Sequence, residues 1–473
     1  MYGSLLECGR VNLSRSDILG KSIHFIGMGG SGIAPLAEIA ISYGCNVSGS
    51  DLHESASTKR LVSLGANFFA GHSAENITDF DFVVYSGAIK EENPELVAAY
   101  TRKIKTLKRS EFLGLIANGC DDLIAVSGSH GKTTASAMIT SILMDLGKNP
   151  TAIVGSEMID LGCGGVAGGT RFCVCEACEF QDSFLYLKPS LGVILNVDND
   201  HLDYFGDIEN EKKSFEKFAL KCSKALIINA DDLNSVECVK DVEVKKIFYS
   251  LNPGSDVYAQ NISLDDSVCA SFDAVVGENR VRINLNVPGE HNVYNALAAI
   301  SVCEFLGISV EACQEPLRLF NGTKRRFEKI GESCSVAVID DFAHHPREII
   351  AAYNTASKLN AKRVWAVFQP HTFSRTFFLF EEFVQALSNF KNVILTDILP
   401  VREINTYGIK AEQLAERIEN CHCLGSFENI SEFFFQNACE GDLILTMGGG
   451  NIYKCAHMIL EKLKLREKNK VNQ

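Results

Sequence analysis

Short apolar runs separated by amphipathic stretches recur along this chain. In the first hundred residues, Ile23-His24-Phe25-Ile26, Cys45-Asn46-Val47-Ser48 and Phe82-Val83-Val84-Tyr85 read as buried strands. Residues 34–43 and 58–64 between them carry helical periodicity. Strand, helix, strand in that order predicts a parallel sheet with helices on its faces. A helical stretch over 109–117 leads to a second unit opening at Asp122. It has strands at 172–175, 191–195 and 225–228, a β-rich section over 257–287 and a closing helix over 292–305. Alternation resumes from Phe327, with strands at 336–339, 363–368, 393–395 and 443–445. The Lys-rich tail beyond Leu465 is expected to fray. The pattern predicts an α/β protein of three domains, at 1–107, 108–326 and 327–473.

Composition supports that division, since 473 residues exceed what one core organises. The acidic excess, 59 Asp and Glu against 45 Lys and Arg, weighs against a nucleic-acid partner. No uncharged apolar run is long enough to span a membrane, and residues 1–10 lack the blocks of a signal peptide. A cytoplasmic protein is expected. The 17 cysteines agree, being scattered through apolar runs such as Phe172-Cys173-Val174-Cys175, which suits reduced, buried thiols. Cys175-Glu176-Ala177-Cys178 lacks the second pair that a zinc site needs.

Two turns carry the candidate chemistry. Gly27-Met28-Gly29-Gly30-Ser31-Gly32 lies between the first predicted strand and helix, with Asp51 nineteen positions after Gly32. Such a turn lets a pyrophosphate approach the backbone, and Asp51 can bond a ribose hydroxyl. The ligand is NAD or another pyrophosphate-bearing nucleotide. Ser127-Gly128-Ser129-His130-Gly131-Lys132-Thr133-Thr134 follows the apolar run 123–126 and opens a helix. Val126 stands where the strict phosphate-loop pattern has Gly, yet the context makes an anion site: backbone N–H groups and the helix dipole point the same way. Lys132 would reach terminal phosphates and Thr133 would hold Mg²⁺. One such turn suffices for a dehydrogenase. Two suit an enzyme that activates a nucleotide-linked substrate with a second nucleotide.

Acidic clusters at Glu176 and Glu179, and at Asp198-Asn199-Asp200-His201-Leu202-Asp203, fall at predicted strand ends beside this loop, where a cation bridging phosphates is expected. His291, Asn292 and Asn295 open a helix, as caps or as contacts to an adenine edge. Lys324-Arg325-Arg326 is a solvated basic run or a phosphate clamp.

Taken in order, these segments resemble the Mur ligase family from Ile23 to about Lys454. Further markers are Ser48-Gly49-Ser50-Asp51, Asp340-Asp341-Phe342-Ala343-His344-His345-Pro346, Gln369-Pro370-His371-Thr372-Phe373-Ser374-Arg375-Thr376 and Gly448-Gly449-Gly450-Asn451-Ile452. The His-His-Pro and Gln-Pro-His segments are similar to those of alanine-adding members. The resemblance implies an N-terminal Rossmann-like domain, a central P-loop ATPase-like domain and a C-terminal Rossmann-like α/β domain. It implies ATP-dependent joining of L-alanine to UDP-N-acetylmuramate through an acyl phosphate, in cytoplasmic peptidoglycan precursor synthesis. Mg²⁺ would be the metal, with no nucleic-acid or membrane partner, in a monomer or homodimer. By the same resemblance, Gly27, Gly29, Gly30, Gly32, Asp51 and His72 would bind the UDP substrate. Gly128, Ser129, His130, Gly131, Lys132, Thr133, Thr134, His291, Asn292, Asn295 and Arg326 would bind ATP. Thr133, Glu176 and His201 would hold Mg²⁺, and Lys132, His344, His371 and Arg375 would serve the reaction, Arg375 also binding alanine.

The chain departs from the family pattern at Ser129 for Thr, Cys178 for a frequent Asp, Gly449 for Ala and Gly87 for Ser. The Cys178 change puts an acidic contact in doubt. A sister ligase adding a recycled peptide or another amino acid is the alternative. An NAD-dependent oxidoreductase would leave residues 128–134 unexplained, and a non-catalytic scaffold would not need Lys132, Thr133, Glu176 and His201 together.

Overall fold

Three separate sheets carry the chain in a computed structural model that describes residues 15–401 and 403–471. The first has five parallel strands, in the order Asn67–Ala70, Asn46–Asp51, Ser22–Ile26, Phe82–Tyr85 and Lys105–Lys108. Strand order reverses beside Ser22–Ile26, so a crevice opens at the carboxyl ends of the strands, where such sheets bind ligands. Residues 27–32 lie there.

The second sheet has ten strands. Asp122–Ser127 lies between Leu191–Ile194 and Phe172–Glu176, all three parallel. Antiparallel pairing is confined to the flanks: Val257–Leu264, Cys269–Val276 and Asn279–Pro288 on one side, Cys163–Val166 on the other. The helix Lys132–Asp145 is buried from Thr133 to Thr140 and packs against His291–Phe305. That sandwiching accounts for its apolar residues on every face.

The third sheet has six strands, with Glu328–Ser333 antiparallel to Val336–Asp341 and the other pairings parallel. Its two faces bury separate clusters, around Phe368 and Phe383 on one and Trp365 and Phe434 on the other. The α/β class and three-unit architecture are as expected. Every described cysteine is free.

The domains meet in two different ways. One apolar cluster runs from Ile23 and Phe25 of the first sheet through Phe112 to Ala125 and Cys173 of the second, fusing them. No described apolar cluster joins the third sheet to the second. Ion pairs hold that junction instead.

Two differences from the pattern have physical causes. The strands Asn67–Ala70, Lys105–Lys108 and Cys421–Gly425 are short edge strands whose side chains are mostly exposed or half-buried, so they show little apolar signal. The tail does not fray at Leu465, because the last helix runs from Tyr453 to Val471. Arg466 Nη1 donates to Phe435 O (3.1 Å) and Ala438 O (2.8 Å), and Glu467 accepts from Ser333 Oγ (2.7 Å). These contacts pin turns that composition alone would leave free.

Candidate active site

Three parallel strands ending side by side build the central site. Val126 is in register with Glu176, and Ser127 with Ile194, so the loop 128–131 emerges between Glu176 and Asn196. Asn196 fixes the loop by accepting from His130 N (2.8 Å) and donating to His130 O (3.1 Å). The Ser129 hydroxyl accepts from Asp198 N (2.9 Å), so replacing Thr by Ser keeps the group the loop uses. Gly131 has φ 86°, and a Cβ there would sit 2.6 Å from Asn295 Oδ1. Both the backbone and the space demand glycine. Asn295 in turn donates to Asn292 Oδ1 (2.9 Å), and Asn292 to Pro288 O (2.8 Å). His291, which opens that helix, is exposed.

Lys132 is mostly buried, and its Nζ lies 2.9 and 3.0 Å from the two oxygens of Glu179. Burial alone would lower the ammonium pKa. The surrounding carboxylates, Glu179 first, more than offset this and raise it. Lys132 is therefore a fixed cation. Thr133 Oγ1 donates to Glu176 Oε2 (2.9 Å), which also accepts from Gly155 N (2.9 Å). A Cβ on Gly155 would lie 2.2 Å from Glu176 Oε2, so this glycine makes the room that the carboxylate occupies. Cys178, at the position of the frequent Asp, has its thiol pushed up to about 11 by burial, then by Glu179, so it brings no charge at neutral pH.

Side chains from the domain boundary and the third domain, Arg326, Arg347, Glu348 and Arg375 among them, reach the residues in and around this loop. Arg326 Nη2 lies 3.5 Å from Thr133 Oγ1, and Arg347 Nε lies 2.9 Å from Asp198 Oδ2. Glu348 Oε1 sits 3.3 Å from His130 Nδ1, whose Nε2 is 3.1 Å from Asp198 Oδ2. Arg375 Nη2 donates to Asp200 Oδ1 (2.6 Å). The His130 imidazole lies between two carboxylates. Burial opposes its charge, but Asp198 and Glu348 raise its pKa to about 9.

The basic run divides by role. Lys324 pairs with Glu157 (2.7 Å) and Arg326 faces the loop. Arg325 is a structural pin, bonded to Asp340 (2.9 Å) and to the carbonyls of Gly448 and Gly450 (2.7 Å each).

His371 and His344 face each other, with ring centroids 5.7 Å apart, and Arg375 Nη1 lies 3.2 Å from His371 Nδ1. Burial lowers both imidazoles, His344 to about 4 and His371 to about 3, the latter helped by His344 and Arg375. Both are neutral at pH 7, with the charged form disfavoured by burial.

In the first domain, Asp51 Oδ2 accepts from Gly29 N (2.9 Å) and Oδ1 from Leu52 N (2.8 Å), so Asp51 shapes the glycine turn. His72 Nδ1 lies 3.0 Å from Ser50 Oγ and 3.1 Å from Glu95 Oε2. Burial would raise the Glu95 carboxyl, but nearby His24 and the bonds from Ser50 and Asn76 lower it to about 2.

Three family descriptions match consecutive stretches: Mur ligase family catalytic domain over 22–120, Mur ligase middle domain over 126–303, and Mur ligase glutamate ligase domain over 325–450. A UDP-N-acetylmuramate–L-alanine ligase of Clostridium tetani is 43% identical over 93% of this chain and 98% of its own length. One of Caldicellulosiruptor bescii is 42% identical over the same shares. The chain belongs to the Mur ligase family. A solved UDP-N-acetylmuramate–alanine ligase from Thermotoga maritima superposes with a TM-score of 0.81 at 25% identity, over 94% of this chain and 99% of that one. A murein peptide ligase from Psychrobacter arcticus shares the fold, at a TM-score of 0.75 and 24% identity over 94% and 98%.

In this Mur ligase the expected residues fall into two groups. Lys132, Thr133, Glu176, Arg326, Asn292 and Asn295 gather around the loop 128–131. His344, His371 and Arg375 gather with Asp200 and His201 where the third domain meets the second. The expected glycine turn, Asp51 and His72 lie apart, in the first domain. His201, expected to share a cation with Glu176, has its Nε2 3.7 Å from both Glu179 Oε1 and Asp200 Oδ2. Ligand atoms of Glu179, Asp200 and His201 lie within 4.8 Å of one another. Thr133 and Glu176 offer oxygen, and this cluster adds two carboxylates and an imidazole, a donor set that fits Mg²⁺ or a similar divalent ion. Glu179, Asn196, Asp198 and Glu348 carry no assigned role in the motif reading. Glu179 and Asp198 stand in the acidic clusters it marks, whereas Glu348 and Asn196 become visible only through contacts with residues far away in sequence.

Proposed function

We propose that this Mur ligase joins L-alanine to the lactyl carboxylate of UDP-N-acetylmuramate at the expense of ATP, in the cytoplasmic synthesis of peptidoglycan precursors. The observation that carries this reading is the convergence of two half-sites on one junction. Lys132, Thr133 and Glu176 form a phosphate-handling half, and His344, His371 and Arg375 form an amino-acid-handling half, joined through Arg326 and Asp200. The glycine turn of the first domain would hold the UDP group. None of the described helices is long and apolar enough to cross a membrane.

A carboxylate resists attack by an amine until one oxygen becomes a leaving group. The lactyl carboxylate oxygen attacks the γ-phosphorus of ATP; an O–P bond forms, the bond to ADP breaks, and an acyl phosphate results. Lys132 and Arg326 would stabilise charge spread over the transferred group, with the N–H groups of the loop 128–131 fixing its position. Thr133, Glu176, Glu179 and His201 would hold Mg²⁺, which supplies further charge neutralisation at the phosphates. The alanine nitrogen then attacks the acyl carbon with its lone pair. A C–N bond forms, the C–O bond to phosphate breaks, and phosphate leaves. The nitrogen sheds protons in becoming an amide, and neutral His371 or His344 is placed to accept one. Closure of the third domain would exclude water from the acyl phosphate.

Phosphate release with UDP-N-acetylmuramate, ATP and single amino acids tests this. L-Alanine should give the fastest turnover, and all three substrates should be required. Faster turnover with a peptide would transfer the chain to the sister activity. Lys132→Ala should cost far more in turnover than in affinity for the UDP substrate, and wild-type turnover in that variant would remove Lys132 from the phosphate site.

A further inference from the structure

Between the second and third domains lies a cavity of about 80 Å³, walled by Phe180, His371, Phe378, Leu379, Val401 and the Arg375–Asp200 pair. That is several times the roughly 10–15 Å³ that a single water requires, so the cavity has room for a small ligand. Three of its lining residues, His201, Thr372 and Val401, have φ of 53°, 68° and 55°. Such backbone costs energy for residues with a Cβ, most of all for β-branched ones, and persists where surroundings over-determine it, often around ligands.

The ion pair is the informative part. The Arg375 and Asp200 side chains are 10% and 5% exposed, with Nη2 2.6 Å from Oδ1. Both charges are already removed from water, and each would be costly if left alone. An α-amino acid zwitterion presents the same two charges on adjacent groups. Inserted here, its carboxylate would meet Arg375 and its ammonium Asp200. One buried ion pair would become two, with no net charge added to the cavity.

We propose that Asp200 binds the ammonium group of the incoming amino acid, opposite Arg375 on its carboxylate, so that the substrate enters by inserting into the Arg375–Asp200 pair. The proposal rests on the ligase reading above. Its surroundings suit it. The wall of Phe378, Leu379 and Val401 leaves space for a small apolar side chain. His371, bonded to Arg375, lines the same cavity.

The rival role for Asp200 is cation ligation with Glu179 and His201, and the test separates the two. The full-length enzyme is assayed by phosphate release with UDP-N-acetylmuramate, ATP and Mg²⁺ while L-alanine is varied. Calorimetry follows L-alanine binding to the complex with UDP-N-acetylmuramate and a non-hydrolysable ATP analogue. Asp200→Asn should raise the alanine KM and weaken alanine binding by about 10- to 100-fold, the usual range for losing a charge-assisted hydrogen bond. The KM for ATP and the half-saturating Mg²⁺ concentration should stay at wild-type values. Asp200→Glu, which keeps the charge, should recover part of the loss, and it serves as the probe if Asp200→Asn does not fold. Propionate, lacking the ammonium, should bind Asp200→Asn at least as tightly as wild type, because in the wild type it would leave the buried Asp200 carboxylate without its partner. An unchanged alanine KM with a raised Mg²⁺ requirement overturns the proposal in favour of cation ligation. If the wild-type enzyme releases no phosphate with any amino acid, the ligase reading fails instead.

Discussion

At Lys132, charge is secured before any nucleotide arrives. Glu179 compensates for burial and keeps the ammonium charged, so under the proposed reading binding phosphates would require an exchange of anionic partners rather than a protonation step. Gly155 plays an equally specific part for Glu176. Gly155→Ala would drive a methyl into the carboxylate's place, and the expected result is a raised Mg²⁺ requirement with the KM for UDP-N-acetylmuramate unchanged, measured by phosphate release. His130 gives a pH dependence of definite sign. Its folded pKa, about 9, exceeds the unbound imidazole value of 6.5. The stabilisation is thus complete below about pH 6.5 and lost as pH rises through about 9. Such a shift corresponds to roughly 3 kcal/mol. Thermal midpoints should fall across that window in the wild type, and His130→Gln should flatten the slope there.

Among the elements, legibility followed burial. The strand Phe82–Tyr85 and the helix Arg109–Ala117 have the limits their apolar residues suggest, because packing and pattern coincide there. Edge strands such as Lys105–Lys108 alternate too little to be seen. The glycine turns were visible because their chemistry is local: a few residues between a strand and a helix. The His130–Asp198–Glu348 contacts were not, since they join positions up to about two hundred residues apart that only the folded chain brings together. The last helix is a third case, in which composition pointed away from order and the hydrogen bonds of Arg466 and Glu467 restore it. Truncation after Leu465 should therefore lower stability by about 1–3 kcal/mol, the scale of losing a few side-chain hydrogen bonds. Urea unfolding would measure this, and an unchanged midpoint would mean the last turns contribute nothing.

For the whole molecule, the contrast between junctions governs motion. The first and second domains share an apolar core and should move as one body, whereas the third is held by pairs such as Arg347–Asp198 and Arg375–Asp200. Pairs with an exposed partner, such as Arg347–Asp198, are screened by salt, whereas buried pairs such as Arg375–Asp200 are screened much less and apolar contacts are not. Raising NaCl from 0.05 to about 0.5 M should expand the molecule in small-angle scattering while leaving the far-ultraviolet circular dichroism unchanged. Equal radii at both salt concentrations would show that the polar junction does not control opening.

Arg325 and Arg326 carry this further. One is bolted to the third sheet, and its neighbour in the chain touches Thr133 of the second. The angle of the third domain and the distance from Arg326 to Thr133 are therefore one variable. Linkage then makes the effect reciprocal: nucleotide must tighten amino-acid binding by the same factor as amino acid tightens nucleotide binding. Two substrates that need never touch would thereby report on each other through a single peptide bond.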